Sequence, residues 1–494
     1  ISGYYTEGGS TMVDVIVIGG GPAGVTAALR ARELGASVVL IERDRLGGTC
    51  TIDGCVPTRI FARAARLMRV AEQFEAYGLV GQQPSLDLNA LLLRTRETVE
   101  RVQDKKGLLA HLRRTGIELW DRTGEARFVD THTINLGDGH HLTAEKFIIC
   151  AGGHARCLTF PGVEYVLTNK DIWSLSELPR SMAIIGGSAT GCQFASIFAA
   201  FGTRVTVLET SAAILIREDE LISQALTTSF RRRGIEIIEG IDSVNSIEKS
   251  NGSLKLSYQR EGAVGSIQVD AVILAAGWLG NVDNLNLEAV GVATERSYIV
   301  VDDYLQSSVP HIFAAGDITG RMMLVQSASH EARVAAENAV LGPHRLIQHH
   351  IVPHGGFTDP QYGSVGLTEA QARETHHYVA TIVPYSDMDR AVIDNKQEGA
   401  CKLIVSRNSH TILGAHVVGE QALEAVHVAA TGIAANMTVT ELAELELAYP
   451  TFGAIIGLAA RRLVRELGLT PLSPIWRELC QIPQPLAEWE THVV

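Results

Sequence analysis

The sequence predicts an α/β protein with two doubly wound units and an α+β C-terminal region. Three observations carry this. An apolar strand runs through a glycine turn into a helix and a second strand near the start of the chain. The same pattern returns in the middle. Short alternating apolar and polar stretches fill the region after Ile351. At 494 residues the chain is also too long for one core.

The first unit is "VDVIVIGGGPAGVTAALRARELGASVVLIER", with an apolar strand from Val13 to Ile18, a helix to Leu34 and a second strand closing at Glu42. Gly19 permits the tight turn, Gly21 lets a pyrophosphate approach the backbone, and Gly24 lets helix and strand pack closely. The helix N-terminus offers free N–H groups and a positive dipole end to phosphate. Glu42 ends the second strand, where a carboxylate accepts both ribose hydroxyls of a dinucleotide.

The second unit is "SMAIIGGSATGCQFASIFAAFGTRVTVLET", in which Gly186 and Gly191 keep the outer positions and Ser188 replaces the middle glycine. Glu209 ends its second strand, suits the diol of NAD and repels the 2′-phosphate of NADP, so NAD(H) is favoured over NADP(H). Arg217, shortly after, is the one residue read as able to reach a phosphate there. Two such units imply two dinucleotides with electrons passing between them. "VPHIFAAGDIT" adds an apolar strand ending at Gly316 and Asp317, and "FIICAGG" leads from the first unit into the second.

A formal charge of −13 and no basic run argue against a nucleic-acid partner. No segment has the apolar length of a membrane helix. Seven cysteines are sparse and odd in number, which points to a reducing cytoplasm. Residues 1–12, "ISGYYTEGGSTM", lack the regions of a signal peptide and read as an added remnant before a natural start at Met12.

"GGTCTIDGCVPTR" places Cys50 and Cys55 with four residues between them after a Gly-Gly turn, at the expected start of a helix running through Ile60 to Val70. A zinc hook, a structural crosslink and a redox pair compete for them. The gap is wide for zinc, and no second Cys/His pair lies near. A bridge across so short a loop removes little chain entropy. Thiolates at a helix N-terminus have lowered pKa values and exchange readily, so the redox pair is preferred. Cys150 and Cys192 read as core, while Cys157, Cys401 and Cys480 show no partner. The "HH" pairs at 140–141, 349–350 and 376–377 read as solvated surface.

With these motifs the chain resembles the pyridine nucleotide-disulfide oxidoreductases (class I, with glutathione reductase, dihydrolipoamide dehydrogenase and mercuric reductase) from Val13 to about Val464. The resemblance implies FAD on the first unit, a nicotinamide dinucleotide on the second, and a homodimer. It also implies the boundaries: FAD-binding over 13–155, NAD(P)-binding over 156–277, a second FAD-binding or central part over 278–350, dimerisation over 351–465, and a tail over 466–494 holding Trp476 and Trp489. Gly48, Thr49, Ala126, Ala151, Gly152, Gly187 and Gly277 join the expected cofactor-binding residues. Cys55 would face the flavin and Cys50 the substrate.

Three departures from the family bear on the acceptor. Members that handle disulfides carry a His-Pro motif with a glutamate five residues on; here "AYPTFGAIIGLAARRL" puts Tyr449 and Ala454 at those places. A phenol with pKa near 10 is a poor proton shuttle. Mercuric reductases also place tyrosine there, and soft metal ions need thiolates rather than a shuttle. Those enzymes end in two adjacent cysteines, whereas this chain has Cys480 alone. Finally, Arg59 and Gln193 stand where most members pair lysine with glutamate beside the flavin, which raises the expected flavin potential. The reading is an FAD enzyme carrying electrons from NAD(P)H through Cys50 and Cys55 to a soft metal ion such as Hg(II), bound only transiently by those two cysteines, with Tyr449 of one subunit facing Cys50 of the other. The alternatives are a diaphorase-like enzyme for quinones or small acceptors, a low-molecular-weight disulfide reductase, and a slow-turnover flavin redox sensor.

Overall fold

The computed structural model describes residues 12–349, 351–471 and 473. Expectations for residues 1–11, His350, Trp476, Cys480 and Trp489 lie outside the described residues.

Val13–Ile18 is apolar enough to be covered on both faces, and it forms the centre of a seven-stranded sheet. It pairs in parallel with Val38–Glu42 on one side (Ile18 opposite Ile41) and with His141–Ile149 on the other (Ile18 opposite Ile149). Ile312–Ala314, far along the chain, joins the same sheet beside Phe147–Ile149. The carboxyl ends Ile18, Glu42, Ile149 and Ala314 therefore lie along one edge, where open α/β sheets bind ligands. Helix Pro22–Glu33 covers this sheet against helix Val325–Leu341. Ala27, Ala28 and Ala31 meet Ala332, Ala335 and Ala336 there, all fully buried.

The second sheet repeats the plan. Ser181–Ile185 lies between Arg204–Glu209 and Ala271–Leu274, flanked by Glu236–Glu239 and Val166–Leu167, all parallel. A three-stranded antiparallel sheet spans Ser243 to Val269. After Ile351 come five antiparallel strands in the order His354–Gly356, Gln361–Gly366, Ile412–Gly419, Ala400–Ser406, Tyr378–Pro384. Helices Ala422–Ala434 and Ala454–Glu466 share the core of that sheet through Val426, Ile455 and Leu463. Among the described residues no helix is long and apolar enough to cross a membrane.

An aromatic cluster joins the two units. Helix Cys55–Ala71 carries Phe61, 1% exposed, which meets Trp173 edge-on at 5.1 Å and Phe201 at 6.0 Å. Phe194 and Phe198 of helix Ala189–Ala200 complete the cluster. Burying such a ring is worth about 3–5 kcal/mol against alanine. The helix that begins at Cys55 is thereby fixed against the first helix of the second unit.

Candidate active site

The glycine loop of the first unit is shaped by backbone contact. Gly19 has φ 108°, and a Cβ there would strike the Cys150 carbonyl. A Cβ at Gly24 would overlap the Gly19 carbonyl oxygen, so only glycine lets the helix lie this close to the strand. Gly21 differs, because a Cβ there would find only Gly48 Cα at 3.7 Å, and its open side lines a large cavity. Glu42 is buried, with Oε2 accepting from Gly20 N–H at 2.7 Å and Oε1 from Asp44 N–H at 2.8 Å. Each oxygen keeps a lone pair toward the cavity.

The second unit copies this device. Glu209 Oε2 accepts from Gly187 N–H at 2.6 Å and Oε1 from Ser211 N–H at 2.7 Å. Burial acts to raise its carboxyl, and the Ser211 and Gly187 amides outweigh it, so the group stays below the usual range. Gly186 and Gly191 pack on the Ala275 and Gly186 carbonyls as Gly19 and Gly24 do on theirs. Cys150 and Cys192 are buried beneath the two loops, and burial pushes both thiols up; Cys401 is likewise core, whereas Cys157 is exposed. Gly277 has φ 112°, and its carbonyl accepts from Arg156 N–H at 3.0 Å.

The two cysteines sit at the junction of the units. Gly47 and Gly48 turn the chain at φ 113° and 58° into the short helix Gly48–Ile52, which holds Cys50; Cys55 opens helix Cys55–Ala71. A Cβ on Gly48 would press on Gly21 Cα at 2.8 Å, so this loop rests directly on the first glycine loop. Both cysteines are thiols, and both line the cavity. The Cys55 thiol donates toward Cys50 and, with Lys106 nearby, holds Cys50 down at about 7 against its burial and the charge of Asp317. Cys55 is raised by the same shared proton and by burial. Cys50, on the short helix, therefore ionises first, although Cys55 is the one that opens the 17-residue helix.

The cavity has a volume of about 1630 Å3 and runs past Gly48, Thr49, Ala126, Ala151, Gly152, Gly316 and Asp317 to Gln193 and Phe194 of the second unit. Gln193 accepts from Phe357 N–H through Oε1 at 3.2 Å and donates to Ala189 O through Nε2 at 3.0 Å. Burial, then the neighbouring charge of Glu331, raises the Asp317 carboxyl to about 6. Glu331 is fully buried and accepts from Gly316 N–H at 2.7 Å. The Trp278 indole N–H lies buried near Asp317 without a well-formed acceptor.

Some expectations need correcting. Arg59 does not line the cavity: its side chain turns outward and lays the guanidinium over the Phe357 ring at 4.5 Å, while the preceding Thr58 faces the cavity. One turn of helix cannot aim adjacent residues at the same point. Arg59 and Gln193 thus meet only through Phe357. His349 is not solvated surface, because its segment is drawn across the cavity and its Nε2 lies 2.8 Å from Glu331 Oε1, an ion-pair distance without hydrogen-bond geometry. His140, His141, His376 and His377 are exposed. Tyr449 is 57% exposed, donates to Asp389 at 2.6 Å and does not line its own chain's cavity; Ala454 is buried at the start of its helix. Sequence reasoning passed over Thr58, Trp278, His330, His354 and His427, all on the cavity wall. Only "VPHGG" had offered a signal, a histidine before two glycines. Among the described residues, no group of three or more His, Cys, Asp or Glu side chains could hold a metal ion.

Residues 13–332 match the family described as "Pyridine nucleotide-disulphide oxidoreductase", and residues 352–460 match its dimerisation domain. The chain belongs to this family. It is therefore an FAD-dependent oxidoreductase that uses a pyridine nucleotide, and the dimerisation domain supports a homodimer. The oxidoreductase is 31% identical over 451 residues to the mercuric reductase of Staphylococcus aureus, covering 90% of this chain and 82% of that one. It is also 31% identical to the dihydrolipoyl dehydrogenase of Zymomonas mobilis, covering 89% and 95%. A solved relative is the Cu(II) complex of the HOCl-induced flavoprotein disulfide reductase RclA from Escherichia coli, with a TM-score of 0.81 and 27% identity over 92% of this chain and 100% of that one.

The first unit fits FAD: the open cradle at Gly21, the lone pairs of Glu42 and the polar groups of Asp317 and Trp278 face one continuous space.

Proposed function

We propose that the enzyme carries reducing equivalents from NAD(P)H to Cys50 and Cys55 and delivers them to a soft metal ion such as Hg(II). The observation that supports this most is that both cysteines, the open glycine loop of the first unit and Gln193 of the second all face one cavity. FAD, when bound, supplies the two-electron relay between nicotinamide and sulfur. Gly21, Glu42, Gly48, Thr49, Ala126, Ala151, Gly152, Gly316 and Asp317 would hold it. Glu209, kept ionised by two backbone amides, favours NADH over NADPH. The paired thiolates ligate the ion. One hydride from the nucleotide supplies both electrons, so Hg(II) leaves as Hg(0) while NAD(P)+ and one proton are released.

The case for a metal acceptor is the missing shuttle. Tyr449 spends its hydroxyl on Asp389 and Ala454 is apolar, so neither serves a leaving thiol. Mercuric reductases are among the relatives, and the solved relative holds Cu(II). The reading also has Tyr449 of each subunit of the homodimer facing Cys50 of the other, and a reducing cytoplasm as its setting, which the sparse cysteines favour. The equal identity to dihydrolipoyl dehydrogenase keeps a disulfide or small-acceptor substrate as the second reading. Steady-state oxidation of NADH and NADPH against Hg(II), Cu(II), lipoamide, oxidised glutathione and a quinone separates the two. Metal-dependent turnover lost in Cys50→Ser and Cys55→Ser supports the proposal, whereas rapid lipoamide or quinone reduction without a metal response sinks it.

A further inference from the structure

We infer that Lys402 and Asp219 form a buried clamp that fixes the wall of the second nucleotide site against the C-terminal sheet, and so act as positioning residues for reduction by the pyridine nucleotide. Lys402 lies on strand Ala400–Ser406, its side chain 6% exposed, and Asp219 is 1% exposed. Lys402 Nζ donates to Asp219 Oδ1 and reaches Glu369 Oε2, each at 2.7 Å. Asp219 Oδ2 accepts from Glu369 N–H at 2.9 Å, and its Oδ1 also caps helix Glu220–Arg232 through Leu221 N–H at 3.0 Å. The buried His416 sits beside Asp219 at 3.9 Å, held by Ser364 at 2.7 Å and by the Leu367 carbonyl at 2.9 Å. Both carboxylate oxygens of Asp219 thus bond across the boundary between the second unit and the C-terminal region.

What the clamp holds is the segment leading from Glu209. Leu215 N–H donates to the Gly187 carbonyl at 2.9 Å, on the second glycine loop, and Glu218 N–H returns to Leu215 O at 2.9 Å. Next to Asp219, Glu218 reaches His354 Nε2 at 3.2 Å, and His354 lines the same cavity as Gln193 and the two cysteines. A single run of chain therefore ties the nucleotide loop, the cavity rim and the buried lysine together. Buried ion pairs are poor sources of stability but strict about geometry. Losing one partner leaves the other charge uncompensated, and the segment must move to solvate it.

The test uses the FAD-loaded full chain. In Lys402→Met, amides of residues 211–219 should lose protection from hydrogen exchange without nucleotide present, while helix 325–341 keeps its protection. Flavin reduction by NADH in an anaerobic stopped flow should slow by roughly 10–100-fold, the penalty of a small misplacement remote from the chemistry. Reduction by dithionite should be unchanged, which separates this clamp from failure of the proposed acceptor chemistry. The charge-free pair Asp219→Asn with Lys402→Met should recover most of the rate. If Lys402→Met fails to fold, Glu218→Gln carries the test at the rim and should slow the same step several-fold, about 1 kcal/mol or less. Wild-type reduction rates in a folded Lys402→Met, or in Glu218→Gln where it replaces that variant, would overturn the inference.

Discussion

Titration of the dithiol can be followed by alkylation, and the structure sets the size of the effect. With Cys50 held at about 7 rather than the ordinary 9.0, about half of it is thiolate at pH 7, where a free thiol is about 1% ionised. A gain of roughly fifty in thiolate is offset by weaker intrinsic nucleophilicity, about eightfold for two pKa units at a Brønsted slope near 0.45. The net expectation is that Cys50 reacts with iodoacetamide about six times faster than an unperturbed thiol at pH 7, with half-maximal rate near pH 7. Cys55 retains the shared proton and should be labelled only after Cys50. The assay is a pH series of alkylation on the dithiothreitol-reduced protein, with each site read by peptide mass spectrometry. Lys106, which reaches the neighbouring Thr51 at 2.8 Å, contributes to the lowering, so Lys106→Met should move the midpoint upward. Preferential labelling of Cys55, or a Cys50 midpoint at the ordinary thiol value of 9.0, refutes the reasoning.

Gly24→Ala should destabilise the FAD-free protein by about 1–3 kcal/mol in denaturant unfolding through overpacking, whereas Gly21→Ala should leave that stability alone and weaken FAD binding instead. Asp317 titrates near 6 when folded against 3.8 unfolded, so its contribution is fully present below about pH 4 and is lost as pH rises through 6. That amounts to roughly 3 kcal/mol at most, and Asp317→Asn should flatten the corresponding fall in thermal stability of the FAD-free protein between about pH 4 and 6. Arg59→Met should cost only about 0.5–1 kcal/mol of stability, the worth of its stacking on Phe357, and leave the flavin spectrum unchanged.

The two doubly wound units were legible because their signals are local. A buried parallel strand reads as an apolar run, and the Gly24 and Gly191 contacts tolerate no Cβ, so the motif survives in any chain that folds this way. The cysteine pair was legible for the same reason, since four residues between two thiols on a Gly-Gly turn admit few geometries. Arg59 was misplaced because a position next to a motif says nothing about helical phase until the helix start is fixed at Cys55. His349 was misread because its burial depends on Glu331, a residue of another element that draws the segment inward. The same limit hid Lys402 and Asp219, whose partnership spans the second unit and the C-terminal sheet and leaves no periodic mark.

Glu42 and Glu209 each bind the backbone of their own loop before any ligand arrives. For protein engineering this makes the side chain a staple as well as a selector. Redirecting the second site toward a phosphorylated ribose by substituting Glu209 alone would free the amides of Gly187 and Ser211 and loosen the grip on either nucleotide. A successful conversion must first supply those amides with another acceptor, and only then remove the negative charge.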